Sequence, residues 1–226
     1  MKNTINVLSL RVFNFIALVL IFTLSAAFCF GQSGNVKSVN NVGELDKYLD
    51  SQPANSPDKP IKVSIVANKL MLPGIKGVLY YSGKYVSLYL TGNVLTTIPE
   101  KAFSDSYENS NRYKDEWIKE GCEALVSITI PNSVTSIEDI AFADCTNLTS
   151  VTIPDSVTSI ERMAFASCNR LAGVRFAGTI PSDNFHVNAF DGDLRDKFYA
   201  TDKANGTPGT YATTAFVGRF SEWTRK

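Results

Sequence analysis

The chain has 226 residues, 44% of them apolar, with 22 basic and 22 acidic side chains and a formal net charge of zero. That is enough for one domain or one short repeat array with its own core, and the charge balance argues against a nucleic-acid footprint. One histidine, with no H-E-x-x-H, G-x-S-x-G or glycine-rich phosphate loop, leaves hydrolytic and nucleotide chemistry without its parts.

Residues 1–31 read as an export leader. Lys2 and Arg11 supply a positive start without acids, residues 15–24 are apolar apart from Thr23, and Ser25-Ala26-Ala27, like the later Cys29-Phe30-Gly31, offers a cleavage site. The apolar run is short for a membrane span. Ala26-Ala27-Phe28-Cys29 has the outline of a lipoprotein box, which makes Cys29 the candidate lipidation site, although bulky Phe28 stands where a small residue is wanted. Lipid-anchored and freely secreted forms both stay open. Without the leader the balance is 20 basic against 22 acidic residues, a net charge near −2.

Residues 32–84 are expected to form a linker, an N-terminal cap and a divergent first coil. Val42, Leu45, Tyr48 and Leu49 share one side of a helix. A loop rich in Pro, Asn, Ser and Asp follows over 51–60, and residues 61–66 read as a strand. Residues 68–82 look helical around Leu72, Ile75 and Leu79, with an interruption at Pro73-Gly74.

The centre of the chain repeats itself. Residues 125–147 and 148–170 are two copies of one 23-residue unit, identical at 15 positions. A fixed period of that length is the signature of a solenoid. The apolar set Leu125, Ile128, Ile130, Val134, Ile137, Ala141, Phe142 and Cys145 recurs 23 residues on. Ser127-Ile128-Thr129-Ile130 alternates and is rich in β-branched residues, so it reads as a strand that Pro131 ends. The spacing from Ile137 to Phe142 predicts one helical or 3₁₀ turn. An earlier repeat begins at Tyr85, with Leu88 and Leu90 on the strand and Ile98, Ala102 and Phe103 beyond it. Ser106 stands at the cysteine position there, and residues 107–122 form an insertion. The last repeat carries Leu171, Val174, Phe176, Phe185, Ala189 and Phe190. Residues 194–226 leave the pattern as a C-terminal cap, with a hairpin after Gly206-Thr207-Pro208-Gly209 onto which Trp223 folds.

The pattern L-x-x-I-x-I-P-x-x-V-x-x-I-x-x-x-A-F-x-x-C resembles the BspA-like, or treponemal-type, leucine-rich repeats. The blocks Ile-Pro-x-Ser-Val-Thr-Ser-Ile and Ala-Phe-x-x-Cys carry the likeness, over residues 85 to about 190. It implies an α/β solenoid: a right-handed leucine-rich-repeat coil over 85–193, with a parallel sheet on the concave face, short helical or 3₁₀ turns on the convex face, and caps at both ends. It also implies a bacterial surface or secreted protein that engages host matrix proteins or other cells.

Several residues invite chemistry and are weighed against plainer roles. Cys122, Cys145 and Cys168 are spaced by 23, which places them at one ladder position as small buried thiols. No histidine accompanies them, and no metal or cofactor is expected. His186 reads as a structural loop residue, Asp191-Gly192-Asp193 as a turn before a calcium loop, and Glu138-Asp139 as a solvated face. The outward strand positions Ser87, Tyr89, Ser127, Thr129, Ser150, Thr152 and Arg175, with Gly173, form the candidate ligand-binding face. Tyr89 and Arg175 are of the types that dominate binding hot spots, and Tyr80, Tyr81 and Tyr85 add an aromatic cluster near that end. The insertion 107–122 is the rival surface.

These readings give an exported, non-enzymatic protein that binds a macromolecule at the bacterial cell surface. The partner is expected to be a protein of the host matrix or of another cell surface, with no nucleic acid, and with membrane contact only through an anchor at Cys29. The chain would be a monomer or be displayed in many copies. The alternative is a structural, self-assembling surface component without a specific ligand.

Overall fold

The computed structural model describes residues 35–104, 122–214 and 217–226. The leader with Cys29, Ser106, and the insertion as far as residue 121 lie outside the described residues. The elements run β1 (Lys37–Val39), α1 (Val42–Asp50), β2 (Ile61–Val66), α2 (Leu72–Ser82), β3 (Val86–Thr91), β4 (Thr97–Ile98), β5 (Leu125–Thr129), β6 (Ser136–Ile137), β7 (Ser150–Ile153), β8 (Ser159–Ile160), β9 (Gly173–Phe176), α3 (Leu194–Phe198), β10 (Gly209–Ala212) and β11 (Thr224–Arg225).

Local chemistry starts the two longer helices. Asn41 caps α1 by accepting the Glu44 N–H through Oδ1 at 2.9 Å, while Glu44 Oε2 accepts the Asn40 N–H at 2.9 Å. Leu45 and Leu49 are the buried face of α1. The expected break at Pro73-Gly74 does not occur. Pro73 sits in the first turn of α2, where its missing N–H has no helical partner to lose. The loop over 51–60 is fastened by Asn55, whose side chain donates to Tyr85 O at 2.7 Å and accepts the Tyr85 N–H at 3.0 Å.

Eight strands make one sheet in the order β1-β2-β3-β5-β7-β9-β10-β11, and β4-β6-β8 make a second. The large sheet is parallel from β1 to β9. The two sequence copies align at the read period: Val151 pairs with Ile128 and with Val174. Before them the pairing shifts. Val86, not Tyr85, lies opposite Leu125, and an irregularity after it leaves Val126 as the extra residue. The N-terminal region continues the same ladder, with Val39 opposite Ile65 and Ile65 opposite Leu90, at spacings of 26 and 25 residues.

The helical turn expected over residues 137–142 is absent. In its place is a two-residue strand followed by successive turns. Ala141 N–H bonds Glu138 O, Ala143 N–H bonds Ile140 O, and Cys145 N–H bonds Phe142 O. The intervening N–H groups leave the repeat altogether: Ile140 donates to Arg162 O, Phe142 to Ala164 O and Asp144 to Ala166 O, at 2.8 to 3.0 Å. Such alternation requires a left-handed residue at each turn, and φ is 56° at Lys101, 49° at Ile140, 57° at Asp144, 56° at Met163 and 58° at Ser167. A helix would direct every N–H back along its own chain; here half of them hold the neighbouring repeat.

The apolar positions close into one core. Phe103, Phe142, Phe165 and Phe190 stack nearly parallel, with centroids 5.2, 4.9 and 4.5 Å apart and planes within 12°. Serines identical in both copies tie the backbone of adjacent repeats, Ser133 Oγ donating to Leu95 O and Ser156 Oγ to Val134 O, each at 2.7 Å. At the C-terminal end β10 joins β9 antiparallel and β11 joins β10. Trp223 is fully buried, donating its backbone N–H to Asp193 Oδ1 and its indole N–H to Asp191 O. Gly206 has φ 75°, and a Cβ there would meet the Phe198 ring at 1.9 Å. Only glycine fits that turn.

Phe142→Ala opens the middle of the stack and is expected to cost roughly 3–5 kcal/mol, read as a lowered denaturation midpoint. Ser167→Gly removes left-handed strain and should stabilise by up to about 1 kcal/mol in the same experiment. An unchanged midpoint for Phe142→Ala contradicts the stack.

Candidate functional site

The outward residues of the parallel strands fall into two rows, because parallel pairing repeats each position on the next strand. One row runs Lys62, Ser87, Ser127, Ser150, Gly173 and Ala212. The other runs Ser38, Ser64, Tyr89, Thr129, Thr152, Arg175 and Thr210. All seven residues read from the sequence lie in these rows. Thr129, Ser150 and Arg175 are exposed, and Tyr89, Ser127 and Thr152 are half-buried.

Ser87 is a correction. It is only 5% exposed, next to the irregularity between Val86 and Ser87, and presents no usable surface. The sequence reading also stopped the face too early at both ends. Ser38, Lys62 and Ser64 extend it over β1 and β2, and Thr210 extends it over β10. At about 4.8 Å per strand, the seven strands from β1 to β10 span about 29 Å. Tyr80 and Tyr81 stay off the rows, because they ride on α2; their rings meet edge to face at 4.9 Å.

The thiols occupy one position in three successive repeats. Cys122 N–H donates to Phe103 O at 3.0 Å, as Cys145 N–H does to Phe142 O at 3.3 Å. Cys122 therefore fills the place at which Ser106 was expected, and residues 105–121 enter the turn between Ser104 and Cys122. A single residue, Asp144 or Ser167, does the same job in the next two repeats. All three cysteines are buried thiols, none of them in a disulfide. Cys145 Sγ donates to Phe103 O at 3.5 Å and Cys168 Sγ to Phe142 O at 3.2 Å. Burial pushes both thiols well above their ordinary range, and neighbouring thiols add to the shift at Cys145.

Other flagged groups serve the fold. His186 donates its N–H to Ile160 O and accepts the Asn188 N–H through Nδ1. Asp191 Oδ2 accepts the Ser167 N–H, and Asp193 Oδ2 pairs with Lys197 at 3.3 Å, around Gly192 at φ 78°. Burial first, then Asp144, raises the Asp191 carboxyl above its ordinary value, against the lowering by the Ser167 N–H. Asp139 pairs with Arg162 of the next repeat at 3.4 Å, and Glu138 Oε2 accepts the Glu100 N–H. Among the described residues no group of three or more His, Cys, Asp or Glu is placed to hold a metal ion, and no helix is long and apolar enough to cross a membrane.

Residues 119–193 match the family model of the BspA type leucine rich repeat region (6 copies). Over those residues the chain carries BspA-type leucine-rich repeats. No curated protein and no solved structure matched the chain. The match begins beyond β3 and β4, yet strand pairing joins those elements to the leucine-rich repeats without a break. Leucine-rich repeats of this type imply a solenoid-like fold. They are generally non-enzymatic modules for protein interaction or surface adhesion, in proteins that are typically surface-exposed or secreted.

Cys145 and Cys168 are expected to resist an aqueous thiol reagent at pH 8 in the folded protein and to react fully once denaturant is added. Labelling at the same rate in both states contradicts their burial.

Proposed function

We propose that the protein is exported, has no catalytic role, and binds a protein partner on a host matrix or another cell surface through the two outward rows of its large sheet. The repeats form a right-handed solenoid in this reading, with that sheet on the concave side and the turn runs on the convex side. The observation that carries the proposal is the continuity of the rows: hydroxyl-bearing residues recur from β1 to β10, with Tyr89 and Arg175 as the large side chains among them. Small hydroxyls give hydrogen bonds without bulk, and the two large residues supply the anchoring area that Tyr and Arg provide at interfaces.

The rows hold about a dozen residues, against roughly 20–30 per side in stable interfaces. One copy therefore binds weakly, on the micromolar scale or above. Many copies on one surface bind far more tightly, because linked sites raise the effective concentration. Whether Cys29 carries a lipid decides between display on the cell and release from it.

The test is a binding titration of residues 32–226 against host-matrix and bacterial-surface extracts, immobilised and in solution. Tyr89→Ala and Arg175→Ala should each weaken binding roughly 5- to 30-fold, and Ser127→Ala or Ser150→Ala should change it little. If both large residues can be removed together without loss while excision of 105–121 abolishes binding, the sheet is only a scaffold.

A further inference from the structure

Arg175 differs from most other arginines of the fold. Arg162 pairs with Asp139, Arg170 donates to Asn147 Oδ1 at 3.2 Å, and Arg195 and Arg225 donate to backbone carbonyls. Arg175 is exposed on β9 and has no such partner among the described residues. Its row neighbours are Thr152 on β7 and Thr210 on β10, and neither hydroxyl is engaged among the described residues.

Beside the guanidinium the face is open. Gly173 stands two residues earlier on the same strand, hence on the same face. A Cβ placed there would meet nothing within 4 Å beyond its chain neighbours. Its own row neighbours, Ser150 and Ala212, are small. The backbone at Gly173 therefore floors a notch with the Arg175 cation at one side, and the two threonines flank that cation. A carboxylate has room to enter and meets a donor that can bind both of its oxygens.

The charge of the whole face points the same way. The thirteen positions of the two rows hold two bases, Lys62 and Arg175, and no acid. Residues 97–104, 136–145, 159–168 and 182–191, which carry β4, β6, β8 and the turns, hold seven acids against Lys101 and Arg162. An acidic ligand is drawn to the sheet and repelled by the turn side. Lys62 lies four strand spacings from Arg175, about 19 Å. An extended peptide covers about 20 Å in six residues, and an even separation returns its side chains to one face. A polyphosphate or polysulfate track needs cations along its length, which these rows lack. We propose that the notch at Gly173 and Arg175 receives a carboxylate from an extended acidic segment of a protein partner lying along the rows, with a second carboxylate six residues away directed to Lys62. This rests on the sheet being the binding face and names the chemistry that the face selects.

Titration of the full chain with short poly-L-glutamate at low ionic strength tests it, with the same peptide as competitor against the immobilised matrix and surface extracts. Arg175→Gln, and Gly173→Val, which fills the notch without charge, should each weaken binding about tenfold and leave the denaturation midpoint unchanged. Arg219→Gln, the same charge loss at an exposed arginine off the rows, should change binding less than about twofold. Added salt should release the peptide. Equal losses from Arg175→Gln and Arg219→Gln would reduce the effect to diffuse charge and overturn the proposal. So would heparin binding through Arg175 more tightly than poly-L-glutamate, which would assign the notch to sulfated glycans. Extracts that bind through Tyr89 and Arg175 without competition from poly-L-glutamate overturn the acidic partner and leave the sheet as the binding face. Binding of extracts and peptide that survives both Tyr89→Ala and Arg175→Gln overturns the two readings together.

Discussion

Four phenylalanines at one position of successive repeats hold this structure in register. Phe103, Phe142, Phe165 and Phe190 lie face to face within 4.5 to 5.2 Å, a spacing close to the separation of paired strands. The ring stack and the strand ladder therefore impose the same repeat distance. Shifting one repeat by a residue would misalign the ladder and withdraw a ring from the stack together. The left-handed turn residues belong to the same constraint. Placing every second N–H across the repeat boundary forces φ above zero at Ile140 and Met163, a conformation side-chain-bearing residues normally avoid at a cost of about 1–2 kcal/mol. The bonds to the next repeat and the buried rings offset that strain.

A stack of identical units leaves raw edges, and the two ends of the chain resolve this differently. At the N-terminal side the ladder is continued by β2 and β1, with α1 and α2 between the strands as longer connections that bury leucines. At the C-terminal side the direction reverses. Antiparallel β10 covers β9, and the aromatic residues Phe176, Phe185, Phe198 and Tyr211 fill the end of the core. Trp223 closes it, held by Asp191 and Asp193. The last edge strand, β11, is two exposed residues long, short enough to discourage pairing with another chain.

The same ladder logic makes the surface. Because the strands are parallel and in register, any outward residue type is repeated along a row, and a polar face arises without being assembled residue by residue. On the other side of the repeats, Asp139 pairs with Arg162 of the next repeat. The sheet face carries mostly hydroxyls, with Lys62 and Arg175 as its charged members. This difference in chemistry separates the sheet face from the turn side of the repeats.

The repeat itself was legible from the amino-acid sequence. A 23-residue period with β-branched alternation can bury its apolar set only by stacking, so the parallel pairing of β5, β7 and β9, the shared burial of the cysteines and the outward direction of Thr129, Thr152 and Arg175 followed from spacing alone. The helix α1 and strand β2 were equally plain, since local periodicity determines both. What tertiary structure decided lies where backbone bonds leave the local segment. The apolar spacing over residues 137–142 suits a helical turn, and only bonding to the next repeat converts it into left-handed turns. Ser87 reads as outward by alternation, but the irregularity after Val86 buries it. Cys122 looked like the end of an insertion until its N–H was found on Phe103 O, and β1 was too short and polar to announce itself before β2 paired with it. Local patterns specify an element when its hydrogen bonds close within it; when they close on a neighbour, the neighbour's position has to be known first.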